Sequence, residues 1–458
     1  MGLKEALLMK YCVEAFGAYD IRGIYPQTIN EEIAYRIGRF FPGLFGAKKV
    51  VVGNDIRLSG PMLKKALIKG LTESGCDVLD IGQCGTEMIY FATFHLKLDG
   101  GVMITASHNP KEYNGMKFVR QEAQPISGDT GLRDLEKQVA DGELPAMAAT
   151  AGKVEIVDIT EEYVKHILSY VDASEMKPLK VVVNAGNGAA GPILDVMEQY
   201  LPFEVVKVQH QPDGNFPNGV PNPLLPENRE ATAKAVRDSG ADAGVAWDGD
   251  FDRCFMFDEQ GNFIEGYYMV GFLAQAFLQK NSGAKIIYDP RLTWNTEELV
   301  REYGGVPVMS KSGHAFIKEK MRAENAIYGG EMSAHHYFRD FSYCDSGMIP
   351  WLLVLELISK AGKPLSELMS ERMEQYPCSG EINSKVKDAD EVFARIEAEY
   401  GQQGQVTKVD GISVAFDSWR FNLRKSNTEP VIRLNVETRH DVALMKQKTE
   451  ELLKKIHM

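Results

Sequence analysis

"KKVVVGNDIRLSGPMLKKALIKGLTESGCDVLDIG", residues 48–82, joins a β-branched run, a polar loop, a helical repeat of apolar positions and a second short apolar run. Pro61 stands near a helix start, where proline is tolerated, and Gly75 where the helix has to stop. Strand, helix, strand in this order predicts a βαβ unit, whose crossover makes the two strands parallel. Loops then gather at the strand carboxyl ends, where ligands of open α/β sheets bind.

The same opening recurs in "LKVVVNAGNGAAGPILDVMEQY" at 179–200 and "AKIIYDPRLTWNTEELVREYGG" at 284–305. In each, a β-branched run meets Asn or Asp, turns, and leads into a helical pattern. A spacing of about 100 to 130 residues predicts three related α/β domains rather than a short-period solenoid. After residue 370 a helical stretch and hairpin-like strands predict a smaller α+β domain. The fold class is therefore α/β, with three related α/β domains and a C-terminal α+β domain around a central cleft. Boundaries are expected at 1–150, 151–256, 257–370 and 371–458, with linkers at 143–153, 258–261 and 363–376.

A chain of 458 residues exceeds one ordinary core, and 44% hydrophobic with 25% charged residues is ordinary for a globular protein. The net charge of -13 disfavours nucleic acids and anionic membranes as partners, so an anionic substrate requires a local basic pocket. Cys12, Cys76, Cys84, Cys254, Cys344 and Cys378 are scattered without a CxxC pair or metal-site spacing, which predicts reduced thiols in a cytoplasmic protein. No run of about 18 apolar residues could span a bilayer, and the N-terminal stretch lacks a signal-peptide pattern.

Chemistry concentrates in a few segments. "DGDFDR", 248–253, alternates Asp248, Asp250 and Asp252 behind an apolar run. Three neighbouring carboxylates repel unless a cation lies among them, and their oxygens suit Mg²⁺. An EF-hand is disfavoured by Arg253 at the position that needs Gly; a solvated acidic turn remains the plain alternative. "GVMITASHNPKEYNGMK", 101–117, offers Ser107 either as a turn residue or as a phosphate carrier, with His108 and Lys117 near in sequence. Its Asn-Pro and Asn-Gly pairs predict loop corners. "GAYDIRG" contributes Tyr19 and Arg22, the arginine equally readable as a surface ion pair.

His314, Glu331 and Ser333 are types that hydrogen-bond sugar hydroxyls, though each has a structural alternative. His335 and His336, adjacent on extended chain, face opposite sides and do not make a shared metal site. Arg424, Ser426, Asn427, Thr428 and Arg433 read as a phosphate cradle or as a polar hairpin turn. The glycines of "NAGNGAAG", 184–191, have dinucleotide-loop spacing, but the next strand ends in Gln209 rather than an acid; tight strand-to-helix packing is expected instead.

Taken together and in order, "TASHNP", "DGDFDR", "GEMSAHHYF" and "RKSNTEP", one per expected domain, with "AYDIRG" near the start, resemble the α-D-phosphohexomutase family over nearly the whole chain. The resemblance implies four domains around a cleft with a movable fourth. It implies that Ser107 carries phosphate and that Asp248, Asp250 and Asp252 with the phosphoserine oxygen bind Mg²⁺. Arg22, His108 and Lys117 join Ser107 as catalytic candidates. Glu331 and Ser333 would hold sugar hydroxyls, and Arg424, Ser426, Asn427 and Thr428 the substrate phosphate. Tyr19, Arg253, Arg291, His314 and His335 complete the substrate-binding set.

The implied reaction interconverts mannose 6-phosphate and mannose 1-phosphate through a hexose 1,6-bisphosphate, toward GDP-mannose, by a monomer or dimer; glucose phosphate is the alternative or additional substrate. Ala334 replaces a glycine common in the family's sugar loop, and Arg291 a common lysine, which puts hexose preference in question. A metal-dependent phosphatase, a nicotinamide dehydrogenase and a noncatalytic sugar-phosphate binder are the competing classes.

Overall fold

The computed structural model describes residues 13–425 and 431–458; the expectations placed on Cys12, Ser426, Asn427 and Thr428 lie outside the described residues. Residues 48–82 fold as strand Lys49–Asn54, helix Gly60–Glu73 and strand Asp77–Gln83, with the two strands parallel. Pro61 occupies the first turn of that helix.

Three sheets repeat one plan. In the first, Asp77–Gln83, Lys49–Asn54 and Gly100–Ile104 are parallel neighbours in that order, and Tyr113–Arg120 adds antiparallel. The second orders Glu204–Val208, Lys180–Asn184, Ala243–Trp247 and Cys254–Phe257 in the same way. So does the third, with Val306–Met309, Lys285–Tyr288, Tyr328–Gly330 and His336–Phe338. The founding strands lead into helices Gly60–Glu73, Ala190–Met197 and Trp294–Glu302, as their sequence patterns predict. A fourth sheet is antiparallel throughout: Ile382–Ser384, Ile432–Thr438, Trp419–Lys425, Ile412–Ala415 and Gln405–Thr407.

The described chain forms two compact units. One runs through Phe263 and includes Asp340–Gly362; the other comprises Ile264–Arg339 and residues from Lys363 onward. In the first unit, Ile33, Ile37 and Phe41 of helix Glu31–Phe45 and Leu63, Leu67 and Leu71 of helix Gly60–Glu73 recur every fourth residue, so each set faces inward onto Val50, Val52 and Ile104. Each such side chain contributes about 1.5–3 kcal/mol on burial. Asn30 caps the first helix by accepting from the Ile33 amide, and Gly46 ends it at φ 66. In the second unit, helices Ala389–Tyr400 and Val442–Ile456 bury Val392, Ile396, Leu452 and Ile456 with Phe421 and Leu434 of the antiparallel sheet.

Two local expectations are corrected. Asn114-Gly115 is no corner: both residues lie inside strand Tyr113–Arg120, which pairs on one side with Ile21–Ile24 and on the other with Gly100–Ile104. A glycine is needed there for close approach, since a Cβ on Gly115 would lie 1.9 Å from the Ile21 carbonyl oxygen. The segment 363–376 is not an irregular linker, because helix Leu365–Gln375 fills most of it. By contrast, the glycines of 184–191 serve packing as expected: a Cβ on Gly191 would meet the His210 carbonyl oxygen at 2.0 Å.

Gly115→Ala therefore forces two hydrogen-bonded backbones apart. The expected loss is about 1–3 kcal/mol or more in urea denaturation, well beyond that of an exposed Gly→Ala change; wild-type stability would contradict the packing described.

Candidate active site

In each of the three related sheets, the third strand hands over to its antiparallel neighbour through one loop. These loops are 105–112, 248–253 and 331–335, and they carry half of the site residues singled out by sequence, among them Ser107, Asp248 and Glu331.

In the first unit, Ser107 follows strand Gly100–Ile104, is 1% exposed and has φ 48, a left-handed backbone unusual for a non-glycine residue. Its Oγ donates to Asp248 Oδ2 at 2.8 Å and lies 3.0 Å from His108 Nδ1. Lys117, on strand Tyr113–Arg120, reaches Asp250 Oδ2 at 2.8 Å and Asp252 Oδ2 at 2.6 Å. Thr86, at the start of helix Thr86–His95, donates to Asp250 Oδ2 at 2.5 Å. Arg253 Nε stands 3.6 Å from Asp248 Oδ2. Arg22 pairs with Asp20 at 2.8 Å and donates to Asn109 Oδ1 at 2.7 Å, which ties it to the Ser107 loop; Tyr19 is buried beside it in sequence.

The electrostatics follow from burial. Desolvation, reinforced by Asp252 and Asp250 and opposed by Arg253 and Lys117, pushes the Asp248 carboxyl up to about 7. Burial alone would lower the Lys117 ammonium, but the charges of Asp250 and Asp252 outweigh it and hold the amine well above its ordinary value. Lys117 thus supplies counter-charge to two of the three carboxylates. Asp248, Asp250 and Asp252 each offer a carboxylate oxygen within 4.8 Å of the others, and Asp250 Oδ1 is buried with no hydrogen-bond partner. Crowded, all-oxygen and with an acceptor left unmet, this ligand set fits a hard divalent cation.

In the second unit, Arg291 is buried and pairs with Asp289 at 2.8 Å, Glu331 at 3.3 Å and Glu381 at 3.4 Å, while its Nη2 donates to Ser333 Oγ at 3.1 Å. Glu331 also accepts from the Gly313 amide at 2.9 Å and the Tyr337 hydroxyl at 2.6 Å, with His335 Nδ1 at 3.2 Å. Burial raises that carboxyl, but His335, Arg291 and Tyr337 outweigh it and hold it well below the usual range. His314 opens helix His314–Glu324, its ring 6.4 Å from that of His335. His336 turns the other way, onto the Tyr328 hydroxyl, as the alternation predicts. Ala334 sits at φ 69, the left-handed position that a glycine takes without strain.

Arg424 and Arg433 converge with Arg291 on a single carboxylate, Glu381, at 3.1 and 2.8 Å. Burial opposes its ionisation, yet Arg433, Arg424 and Arg291 lower the Glu381 carboxyl to about 2. Three guanidinium groups thus meet at one acid, while Arg291 also pairs with Asp289 and Glu331, and Arg424 Nη1 stands 4.0 Å from Asp410. Sequence reading missed Glu381, Asp289, Asp55, Arg57, Thr86 and Thr105. The paired Asp-x-Arg at 55–57 and 289–291 was a usable signal, since each follows a founding strand.

Two outcomes are expected. Ala334→Gly removes a left-handed alanine and should add about 1 kcal/mol to stability, read by urea denaturation. Glu381 titrates far below the 4.5 of an unperturbed glutamate, so its contribution of roughly 3 kcal/mol is present above pH 4.5 and lost as pH falls toward 2. Stability measured at stepped pH should show this acid slope in the wild type and lack it in Glu381→Gln, which also loses about 3–5 kcal/mol at neutral pH because buried arginines lose their counter-charge.

Comparison with known proteins agrees with this geometry. Family models described as phosphoglucomutase/phosphomannomutase match in four parts: alpha/beta/alpha domain I at residues 13–145, domain II at 161–261, domain III at 265–376, and the C-terminal domain at 381–454. A protein of Xanthomonas campestris named "Phosphohexose mutases" is 61% identical over 96% of this chain and 98% of its own. A phosphomannomutase of Salmonella typhimurium is 58% identical over the same shares. The crystal structure of a phosphoglucomutase/phosphomannomutase family protein from Burkholderia thailandensis superposes with a TM-score of 0.85 at 34% identity, covering 96% of this chain and 97% of that one. With four family segments in order along a chain that carries the serine, the acidic loop and the arginine cluster, this protein belongs to the phosphoglucomutase/phosphomannomutase family and is a phosphohexomutase, an isomerase that moves a phosphoryl group.

Proposed function

We propose that this phosphohexomutase interconverts mannose 6-phosphate and mannose 1-phosphate through phospho-Ser107 and a hexose 1,6-bisphosphate, supplying GDP-mannose synthesis. The observation that carries the reading is the buried Ser107 hydroxyl held 2.8 Å from Asp248 within the carboxylate cluster. A glucose phosphate activity beside the mannose one is the second reading, favoured by the broader name of the Xanthomonas relative.

Asp248, Asp250 and Asp252, with the Ser107 oxygen, would hold Mg²⁺, which when bound neutralises charge on the phosphoryl oxygens. Lys117 and Arg253 donate to those oxygens as they shift between serine and sugar. Lys117 or His108, the latter with its Nδ1 3.0 Å from Ser107 Oγ, takes the proton of the sugar hydroxyl that accepts the phosphoryl group, and the serine oxygen left behind is protonated in its place. Arg424 and the adjoining residues Ser426, Asn427 and Thr428 grip the phosphate not being transferred, and Glu331, Ser333, His314, His335, Arg291 and Tyr19 orient the hexose, while Arg22 steadies the serine loop. After the first transfer the bisphosphate presents its other phosphate to the bare serine, which takes it back. Four domains, with boundaries near residues 150, 256 and 370, and a cytoplasmic location complete the reading.

Ser107→Ala should abolish mannose phosphate exchange and prevent the gain of one phosphoryl group in intact mass after incubation with mannose 1,6-bisphosphate. Exchange by the variant would overturn the phosphoserine, and steady release of inorganic phosphate by the wild type would make the enzyme a phosphatase. The ratio of kcat/KM for the two hexose 1-phosphates decides between mannose alone and both sugars.

A further inference from the structure

Two buried arginines hold the same place in two related sheets. Arg57 follows strand Lys49–Asn54 and Arg291 follows strand Lys285–Tyr288, each two residues after an aspartate. In both, the aspartate Oδ1 accepts the arginine amide at 2.9 Å. In both, the guanidinium pairs with that same carboxylate, at 3.3 Å for Asp55 and 2.8 Å for Asp289. Each pair also grips the loop after the third strand. Asp289 Oδ2 takes the Met332 amide at 2.8 Å while Arg291 reaches Ser333.

The Arg57 pair grips harder. Arg57 is 1% exposed and donates to the carbonyls of Ser107 at 2.9 Å, Asn109 at 2.6 Å, Pro110 at 2.7 Å and Tyr113 at 2.8 Å. Asp55 Oδ2 accepts the Thr105 hydroxyl at 2.7 Å, and the oxygen of that hydroxyl accepts the Ser107 amide at 2.8 Å. Both ends of the Ser107 peptide unit therefore trace back to one ion pair, with the Phe216 ring 5.4 Å from the guanidinium.

Such a grip answers a need. A left-handed backbone is unfavourable for a non-glycine residue and persists only where its surroundings over-determine it. That backbone also sets where the Ser107 Oγ points. Resting on the phosphoserine reading above, we propose that Arg57 is a positioning residue, which touches no substrate but, anchored by Asp55, holds Ser107 in its left-handed conformation so that Oγ is aligned for phosphoryl transfer. The planar fork matters: a lysine ammonium keeps the charge yet cannot span four carbonyls.

The test uses the full chain with Mg²⁺ and mannose 1,6-bisphosphate in a single turnover, following phosphorylation of Ser107 by intact mass. Arg57→Lys should lower the rate constant about 100-fold, the cost of a small misplacement of a reacting group, while the amplitude stays at the wild-type level. A wild-type rate constant overturns the proposal. So does a reduced amplitude at the wild-type rate, because a partly unfolded population then explains the defect. If Arg57→Lys gives no cooperative melt, the isosteric Asp55→Asn carries the same expectation of a slowed rate constant at full amplitude, and the same two refutations. A wild-type protein that gains no phosphoryl group, like the Ser107→Ala control, refutes the phosphoserine reading itself rather than the role of Arg57 alone.

Discussion

Three carboxylates that cannot all be charged without help dictate the first unit. Asp248, Asp250 and Asp252 are buried within 4.8 Å of one another, and Lys117, Thr86, Arg253 and the Ser107 hydroxyl are arranged to answer them. Desolvation makes every unmet charge expensive, so each neighbour is a cation or a donor. The sheet makes the answer possible. Lys117 lies opposite Met103 in register, beside the strand that leads into Ser107, so one antiparallel pair delivers both the counter-charge and the serine hydroxyl.

The second unit inverts the sign. There the crowding is of arginines, and Glu331, Asp289 and Glu381 are the groups that make it tolerable. Glu381 stays ionised despite burial because Arg433, Arg424 and Arg291 surround it. The first unit thus crowds carboxylates and answers them with cations and donors, and the second gathers arginines and answers them with acids.

Much of this was legible in the sequence wherever one residue type has one plausible reason to be present. The β-branched runs at 50–52 and 181–183 announced buried parallel strands, and the alternating aspartates announced a cluster of carboxylates. Asn114-Gly115 misled because the pair looks like a hairpin corner, when the glycine instead makes room for the Ile21 carbonyl. Helix Leu365–Gln375 was missed because its apolar positions are sparse, with only Leu365 and Met369 buried. Glu381 gave no local sign at all, since its partners are Arg291, Arg424 and Arg433, each more than forty residues away. Asp55 and Arg57 could have been found by laying the three founding strands over one another, which composition and spacing alone do not suggest.

One loop position is used three times, at Ser107, at Asp248–Asp252 and at Glu331–Ser333, on three copies of the same strand order. The sheet beneath fixes where such a loop starts and in which direction it leaves, and asks nothing of its side chains. Each copy has therefore been free to take up different side chains: a buried serine in one, a cluster of aspartates in the second, and a glutamate paired with an arginine in the third. For a chain built this way, the residues of one such loop can change while the other two loops, and the strands that carry them, are left as they stand.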